Sequence, residues 1–102
     1  MAQFQVYLNA RSSDQEVPYL LDVQSDIVDI GTRLVIPLVD SKAFGATLTH
    51  INLKLNIDGV DVVMSSADLA GVPKRSIGAW KADFTQHRNL IMGAIDFLIT
   101  GY

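Results

Sequence analysis

The segment at positions 33–40 carries apolar side chains on both of its faces. One apolar set, Leu34, Ile36 and Leu38, alternates with another, Val35, Pro37 and Val39. A strand that buries one face alternates apolar with polar residues, so this strand must be covered on both sides or lie against another chain. Pro37 has no N–H to donate, which predicts an edge or a bulge there. With the apolar segment 19–24 before it, the pattern predicts strands at the margin of a small barrel or sheet.

The composition indicates more apolar surface than one small domain needs. The chain has 102 residues, of which 49% are hydrophobic and 19% charged, whereas roughly 25% of the residues in a typical globular domain are charged. We therefore expect a single domain, 1–102, whose surplus apolar residues form a subunit interface.

Charge and cysteine usage argue against several function classes. The net charge is −3, and the eight basic residues are scattered along the chain, which disfavours direct nucleic-acid binding. The absence of cysteine excludes disulfides and thiolate metal sites. The N-terminal segment lacks a signal-peptide pattern, and no stretch approaches the roughly 20 apolar residues of a membrane span. We therefore expect a cytoplasmic protein.

Two further regions alternate as strands do. Positions 3–9 place the even-numbered residues from Phe4 to Leu8 toward the expected core,. Positions 50–57 alternate with their odd-numbered residues inward, and Asp58-Gly59 then predicts a tight hairpin turn. A return strand is expected at 60–65.

The remaining segments have weaker patterns. Positions 41–49 predict a mobile surface loop anchored by Phe44. Positions 66–71 predict a single helical turn closed by their final glycine, and Val72-Pro73 predicts a turn or crossing point,. A last short strand is expected at 76–80.

One helix is expected, at positions 85–99. Asp83 or Thr85 can cap its start and Gly101 its end. One narrow polar stripe follows the helix at spacings of three and four, namely Gln86, Asn89, Gly93, Asp96 and Thr100. Nearly every other residue from position 90 onward is apolar, so the apolar arc is wider than one sheet can cover. The simplest second surface is another copy of the chain.

No group of residues has the pattern of an active site. Asp22, Asp26 and Asp29 are close in sequence, but without a cation-binding loop pattern they predict turn and surface roles. His50 and His87 lack sequence-local partners for a metal or a triad.

The remaining candidates also favour packing over chemistry. Ser25 lacks the glycines of a nucleophile elbow. Trp80 and Phe84 flank the helix start, which predicts core or interface packing. The residues by themselves indicate a small, strand-rich, dimeric binding protein.

Several motifs, taken in order, resemble the CcdB family of toxins from type II toxin–antitoxin systems. They are QFQVY at 3–7, DVQSDIVD at 22–29, RLVIPL at 33–38, Val72-Pro73, His87-Arg88-Asn89 and AIDFLITGY at 94–102. The resemblance covers almost the whole chain. It implies a mainly β fold, an SH3-like barrel of the CcdB and MazF type with a C-terminal α-helix, associated as a two-fold homodimer.

The resemblance implies a function without catalysis. Family members bind the A subunit of DNA gyrase and trap the enzyme on cleaved DNA. A CcdA-like antitoxin neutralises them through a disordered tail that folds on binding. The resemblance implies no cofactor and no metal, a role in plasmid maintenance, and contact with DNA only through the antitoxin complex that regulates its own transcription.

Site residues follow from the resemblance by position. The gyrase contacts fall on Gln3, Phe4, Tyr7, Ser25, Ile27, Val28, Asp96, Thr100, Gly101 and Tyr102. The dimer interface falls on Ile91, Met92, Ile95 and Ile99. The antitoxin contacts fall on a sheet edge and loops away from the helix pair, at Arg11, Ser12, Ser41, Ala46, Asp58 and Gly59.

The C-terminus departs from the pattern. Well-known family members end in Trp-Gly-Ile, whereas this chain ends in Thr100-Gly101-Tyr102. An aromatic anchor in an interface is often worth about 2 kcal/mol or more, so its loss at position 100 implies weaker poisoning unless Tyr102 replaces it. Two alternatives stay open, a MazF-like ribonuclease toxin and a non-toxic homologue that retains antitoxin binding.

Overall fold

The computed structural model describes residues 1–11, 16–44 and 52–101. Within these ranges, seven strands and two helices follow in the order β1 (Gln5–Asn9), β2 (Tyr19–Asp22), β3 (Thr32–Asp40), α1 (Ser41–Phe44), β4 (Asn52–Ile57), β5 (Val60–Ser65), β6 (Ala70–Pro73), β7 (Ile77–Asp83) and α2 (Arg88–Thr100). Short 3₁₀ turns lie at Ser66–Asp68, Lys74–Ser76 and Thr85–His87.

The strands form one antiparallel sheet that curls into a half-barrel. Its order is β4-β5-β3-β2-β1-β7, and β6 pairs with the first half of β3. The curl brings the two ends of the sheet close together, where Lys81 of β7 forms an ion pair with Asp58 in the β4–β5 turn. Helix α2 completes the chain. The prediction of a mainly β, barrel-like fold with a C-terminal helix is confirmed.

The apolar strand predicted from positions 33–40 is central. β3 pairs with β2 along one side, and along the other side with β6 at Thr32–Val35 and with β5 at Leu38–Asp40. Pro37 lies between these last two pairings, so its missing N–H falls where β3 changes partner. The prediction of a marginal strand was wrong, although the prediction of an interruption at Pro37 was correct.

Both faces of the sheet carry apolar clusters, which explains the double-sided pattern of β3. The larger cluster includes Leu21, Ile36 and Met64 from the strands together with Ile91 and Ala94 from α2. A smaller cluster on the opposite face consists of Tyr7, Leu20, Val35 and Ile77.

The first strand differs from its predicted alternation. Val6 is buried in the larger cluster, but Leu8 is exposed and Tyr7 is buried in the smaller one. The pairing of β1 with β7 shifts register on both sides of Tyr7. Gly78 fits this close pairing, since a Cβ there would lie 2.9 Å from the Leu8 carbonyl oxygen.

The β4–β5 hairpin follows the predicted pattern. Asp58 and Gly59 have φ values of 49° and 81°, which a tight turn of this kind requires. The return strand occupies the expected Val60–Ser65. Of the expected first strand, His50 and Ile51 lie outside the described residues.

Two weakly patterned segments match their predictions only in part. The expected loop at 41–49 begins with the short helix α1, and the side chain of Phe44 and residues 45–49 lie outside the described residues. The expected helical turn at 66–71 ends at Asp68. Gly71, Val72 and Pro73 instead belong to β6, which is held by its pairing with β3.

The C-terminal helix ends as predicted but begins later than predicted, because α2 starts at Arg88 after the 3₁₀ turn and its N-cap residue His87 makes no side-chain capping hydrogen bond. The Asp83 carboxylate accepts a hydrogen bond from the Thr85 N–H at 2.8 Å and so secures the 3₁₀ turn that precedes α2. At the other end Gly101 has a φ of 79°, and its N–H donates to the Phe97 carbonyl at 2.9 Å. Trp80, expected in packing, is exposed, and its Nε1 donates to Gln5 Oε1 at 2.7 Å.

Candidate partner-binding site

The β2–β3 connection, residues 23–31, exposes a group of apolar side chains. Ile27 is 93% exposed, and Val28 and Ile30 are also exposed. Exposed aliphatic side chains that are close together are typical of contact surfaces. This connection contains three of the residues that the resemblance assigned to gyrase.

A buried ion pair closes the base of the connection. Arg33 Nε donates to Asp22 Oδ2 at 2.8 Å, and Arg33 Nη2 donates to Asp22 Oδ1 at 3.0 Å. Both side chains are almost completely buried. The hydrogen bond to Asp22 raises the pKa of the Arg33 guanidinium above its ordinary value. Asp22, predicted from the sequence as a turn or surface residue, is therefore part of the interior.

Gln24 extends this buried network into the connection. Its N–H donates to Asp22 Oδ1 at 3.0 Å, and its side-chain Nε2 donates to the Val28 carbonyl at 2.8 Å. Its Oε1 accepts a hydrogen bond from the Leu34 N–H at 2.8 Å. The sequence analysis did not single out Gln24, because a polar residue after a strand is typical of any turn.

The N-terminal segment lies against the same connection. The Gln3 N–H donates to Asp26 Oδ1 at 2.8 Å, and Gln3 Nε2 donates to the Val23 carbonyl at 3.1 Å. Gln3, Ser25, Ile27 and Val28 are thus brought into one region.

Phe4 and Tyr7, which the resemblance assigned to gyrase contact, are buried in the single chain. Phe4 is 4% exposed, and the guanidinium of Arg88 lies 5.9 Å from its ring centroid. Tyr7 is buried, and its hydroxyl oxygen accepts a hydrogen bond from the Ala2 N–H. Both side chains support the first strand from within and present little surface to a partner.

The residues at the end of α2 are exposed. Asp96, Thr100 and Gly101 lie in or beyond the last turn, and the Thr100 hydroxyl donates to the Asp96 carbonyl at 2.7 Å. The hydrogen bonds described at these residues stay within the helix and its cap, so none joins them to the β2–β3 connection. Tyr102 lies outside the described residues.

The four residues expected in the dimer interface divide between two environments. Ile91 is completely buried against the sheet, while Met92 and Ile95 are partly buried against the same core. Ile99 is 70% exposed. Ile91 therefore belongs to the interior of the single chain, and its assignment to the interface is corrected.

Other apolar residues of α2 are exposed besides Ile99, namely Leu90, Phe97 and Leu98. With 3.6 residues per turn, Leu90 and Phe97 lie on the opposite side of the helix from Ile99,. The exposed apolar side chains therefore flank the buried side of the helix and meet only near its C-terminal end, at Phe97, Leu98 and Ile99.

The residues assigned to the antitoxin lie in separate places. Arg11 is exposed and helps line a cavity of about 320 Å³ beside the smaller cluster, together with Leu20, Pro37 and Val72 among others. Asp58 pairs with Lys81. Ser41 begins α1, Gly59 completes the hairpin turn, and Ser12 and Ala46 lie outside the described residues.

The described residues offer no metal site or catalytic cluster. No group of three His, Cys, Asp or Glu side chains among them could hold a metal ion. His87 packs edge-on against the Phe84 ring, with 5.2 Å between the centroids.

A comparison with protein families places the chain in a family. The family model described as CcdB protein matches residues 3–101. The matched range includes both the β2–β3 connection and the whole of α2. In the described part of the chain, no helix has the length and apolar character needed to span a membrane.

Proposed function

Because the chain belongs to the CcdB family, the gyrase-poison toxins of toxin–antitoxin systems, we propose that it binds the A subunit of DNA gyrase and traps the enzyme on cleaved DNA. The proposal concerns binding, and the protein has no reaction of its own. It acts inside the cell, where gyrase is found.

The observation that carries the proposal is the exposed β2–β3 connection. Ile27 projects almost fully into solvent while its flanking backbone is fixed by buried hydrogen bonds. Rigid, exposed apolar side chains bind with a small loss of conformational entropy. Gln3 and Ser25 provide polar groups beside them, as the rim of a protein interface requires.

We further propose that two chains associate through α2. The C-terminal end of the helix exposes the apolar side chains of Phe97, Leu98 and Ile99, and an isologous two-fold contact there would cover them in both copies. Asp96 and Thr100 would then lie next to the interface in each copy. A two-fold dimer suits a target that is itself a two-fold dimer, because both can engage at once.

The experiment is induced expression in two bacterial strains, one with normal gyrase and one with toxin-resistant gyrase A. We expect growth arrest in the first strain and growth in the second. In a cleavage assay with purified gyrase, the protein should increase linearised plasmid. Arrest in both strains would contradict the gyrase assignment, and arrest in neither would favour the non-toxic homologue.

A matched pair of variants locates the site. Ile27→Ser removes the most exposed aliphatic side chain of the connection and should weaken binding to the gyrase A fragment. Ile30→Ser changes a neighbouring exposed residue outside the assigned contacts and serves as its control. Equal affinities of the two variants would contradict the placement.

Antitoxin binding is proposed at the surface around Arg11. The adjacent cavity combines an exposed cation with apolar walls, and this suits a tail that carries both acidic and apolar residues. Titration with the C-terminal peptide of a CcdA-like antitoxin should be weakened by Arg11→Ala. The matched control is Arg75→Ala, an exposed arginine in the turn before β7.

The ribonuclease alternative has weaker support. RNA cleavage by acid–base catalysis needs paired titratable groups, and RNA binding needs clustered cations. Lys74 and Arg75 are adjacent, but Lys74 is paired with Asp29 at 3.4 Å. Site-specific cleavage of RNA by the purified protein would reverse this judgement.

A further inference from the structure

The β2–β3 connection is organised by one buried side chain at its beginning. Gln24 is 7% exposed, and each of its four polar groups has a partner. Besides the three bonds described above, its carbonyl accepts a hydrogen bond from Arg33 Nη2 at 3.4 Å. Through these bonds Gln24 joins Asp22 before the connection, Val28 in its middle and Leu34 beyond its end.

The two side-chain bonds require an amide of this length. The Nε2 atom donates to the Val28 carbonyl while Oε1 accepts from the Leu34 N–H, both at 2.8 Å. Glutamate offers two acceptors and no donor, and methionine offers neither group at similar length. Asparagine is one methylene shorter and cannot span the same two partners.

Beyond Val23, which is buried in the larger cluster, apolar packing contributes little to the shape of the connection. Ile27, Val28 and Ile30 all project into solvent, so their side chains do not hold the backbone. The Val28 N–H closes a local turn onto the Ser25 carbonyl at 3.1 Å. The turn fixes neighbouring residues, whereas Gln24 ties the turn to the sheet.

We propose that Gln24 is a positioning residue that fixes the shape of the β2–β3 connection before a partner arrives, and thereby sets the affinity of the site. This second consequence rests on the proposed function, in which gyrase A is the partner. A connection already held in its binding shape does not have to be ordered during association. Its loss should appear mainly as faster dissociation.

The experiment compares Gln24→Met and Gln24→Glu with the native protein. Gln86→Met is the matched control, because Gln86 is exposed in the turn before α2 and far in sequence from the connection. Amide hydrogen exchange is measured on each free protein, and binding kinetics are measured against the gyrase A fragment.

The two variants have different expected exchange patterns. Gln24→Met removes both side-chain bonds, so the Leu34 amide and the amides of 25–31 should exchange faster. In Gln24→Glu, one carboxylate oxygen still accepts from the Leu34 N–H, but the other replaces the donor and faces the Val28 carbonyl. Protection from exchange should therefore fall in 25–31 and persist at Leu34. In both, the amides of Val62–Met64 in β5 should keep native protection.

Binding should weaken by about tenfold in both Gln24 variants, with most of the change in the dissociation rate, and should not change in Gln86→Met. Native exchange rates at 25–31 in the Gln24 variants would overturn the positioning role. Faster exchange with native affinity would overturn its consequence for binding. If the native chain itself fails to bind gyrase A, the proposed function fails, and the exchange data alone decide whether Gln24 positions the connection.

Discussion

At the scale of single residues, the buried pair of Asp22 and Arg33 has the largest expected effect on stability. Each charge is compensated by the other in an environment almost closed to water. Removing one partner leaves the other charge buried without compensation, which typically costs about 3–5 kcal/mol. Arg33→Met should therefore lower the free energy of unfolding by about that amount, as measured by urea denaturation.

Two further variants separate this effect from a general sensitivity to substitution. Asp22→Asn combined with Arg33→Met removes both charges and should be less destabilised than Arg33→Met alone. Lys74→Met breaks the exposed pair with Asp29 and should change stability by less than about 1 kcal/mol. Similar losses in Arg33→Met and Lys74→Met would contradict the interior role of the buried pair.

The acid side of the stability profile should depend on Asp83. Hydrogen bonds from the Thr85 hydroxyl, the Thr85 N–H and the Gln5 side chain lower the pKa of this carboxyl. Its contribution is therefore present above the unfolded-state pKa and is lost as pH falls through the folded-state pKa. Thermal unfolding between about pH 5 and about pH 2 should decline less steeply in Asp83→Asn than in the native protein. Identical slopes would contradict this role.

The sequence pattern could not identify the residues that shape the β2–β3 connection. Asp22 and Arg33 are eleven positions apart and meet because β2 and β3 are paired. Periodicity reports which side of a strand is buried, but it does not report which polar side chains meet there. The family resemblance, by contrast, predicted a contact role for Ile27 and Val28, and their exposure is compatible with that role.

At the scale of elements, two glycines allow the effect of backbone strain to be measured without an effect of packing. Gly59 has a φ of 81°, whereas Gly71 in β6 has an ordinary φ, and neither would place a Cβ within 4 Å of another group. Gly59→Ala should destabilise the protein by about 1–2 kcal/mol through backbone strain. Gly71→Ala should be neutral or slightly stabilising. Urea midpoints measure both, and equal losses would contradict the strain argument.

Helix α2 has one side in the core and another side open. Ile91→Ala should cost about 2–5 kcal/mol, because Ile91 is completely buried and its truncation leaves a cavity,. Ile99→Ala removes atoms that are mostly in solvent in the single chain, so its effect should depend on association. Unfolding measured at low protein concentration compares the two variants, and a larger loss in Ile99→Ala would contradict the burial pattern.

Elements with a strong period were predicted well, and those fixed by distant pairing were not. The β4–β5 hairpin is marked in the sequence by strand alternation followed by the turn residues Asp58-Gly59. Helix α2 is marked by its apolar periodicity followed by Gly101. β6 lacks such a signal and exists because Thr32–Val35 of β3 offers it a partner. The central position of β3 was missed for the same reason, since its neighbours come from three separate parts of the chain.

At the scale of the whole molecule, the two proposed surfaces are built in different ways. The β2–β3 connection projects a few side chains from a hydrogen-bonded base, which suits recognition of a partner that is also stable alone. The C-terminal end of α2 exposes several apolar side chains on a regular element, which suits permanent association,. The first should therefore control affinity for gyrase, and the second the number of chains in the complex.

Ile99→Asp tests this division of roles. A charge at this exposed position should leave the single-chain fold intact but oppose burial in a dimer interface. Sedimentation velocity at micromolar concentration should give a dimer for the native protein and a monomer for the variant, with unchanged far-UV circular dichroism. The control Ile27→Asp places the same charge at an even more accessible aliphatic residue of the connection and should remain dimeric.

The two variants should lose gyrase binding to different extents. Ile27→Asp should bind weakly as a dimer, because its contact residue is altered in both copies. The Ile99→Asp monomer keeps one intact connection and should lose only the gain that simultaneous engagement of two sites provides. A native protein that sediments as a monomer would contradict the pairing of α2 helices, since Phe97, Leu98 and Ile99 would then stay exposed in the functional form.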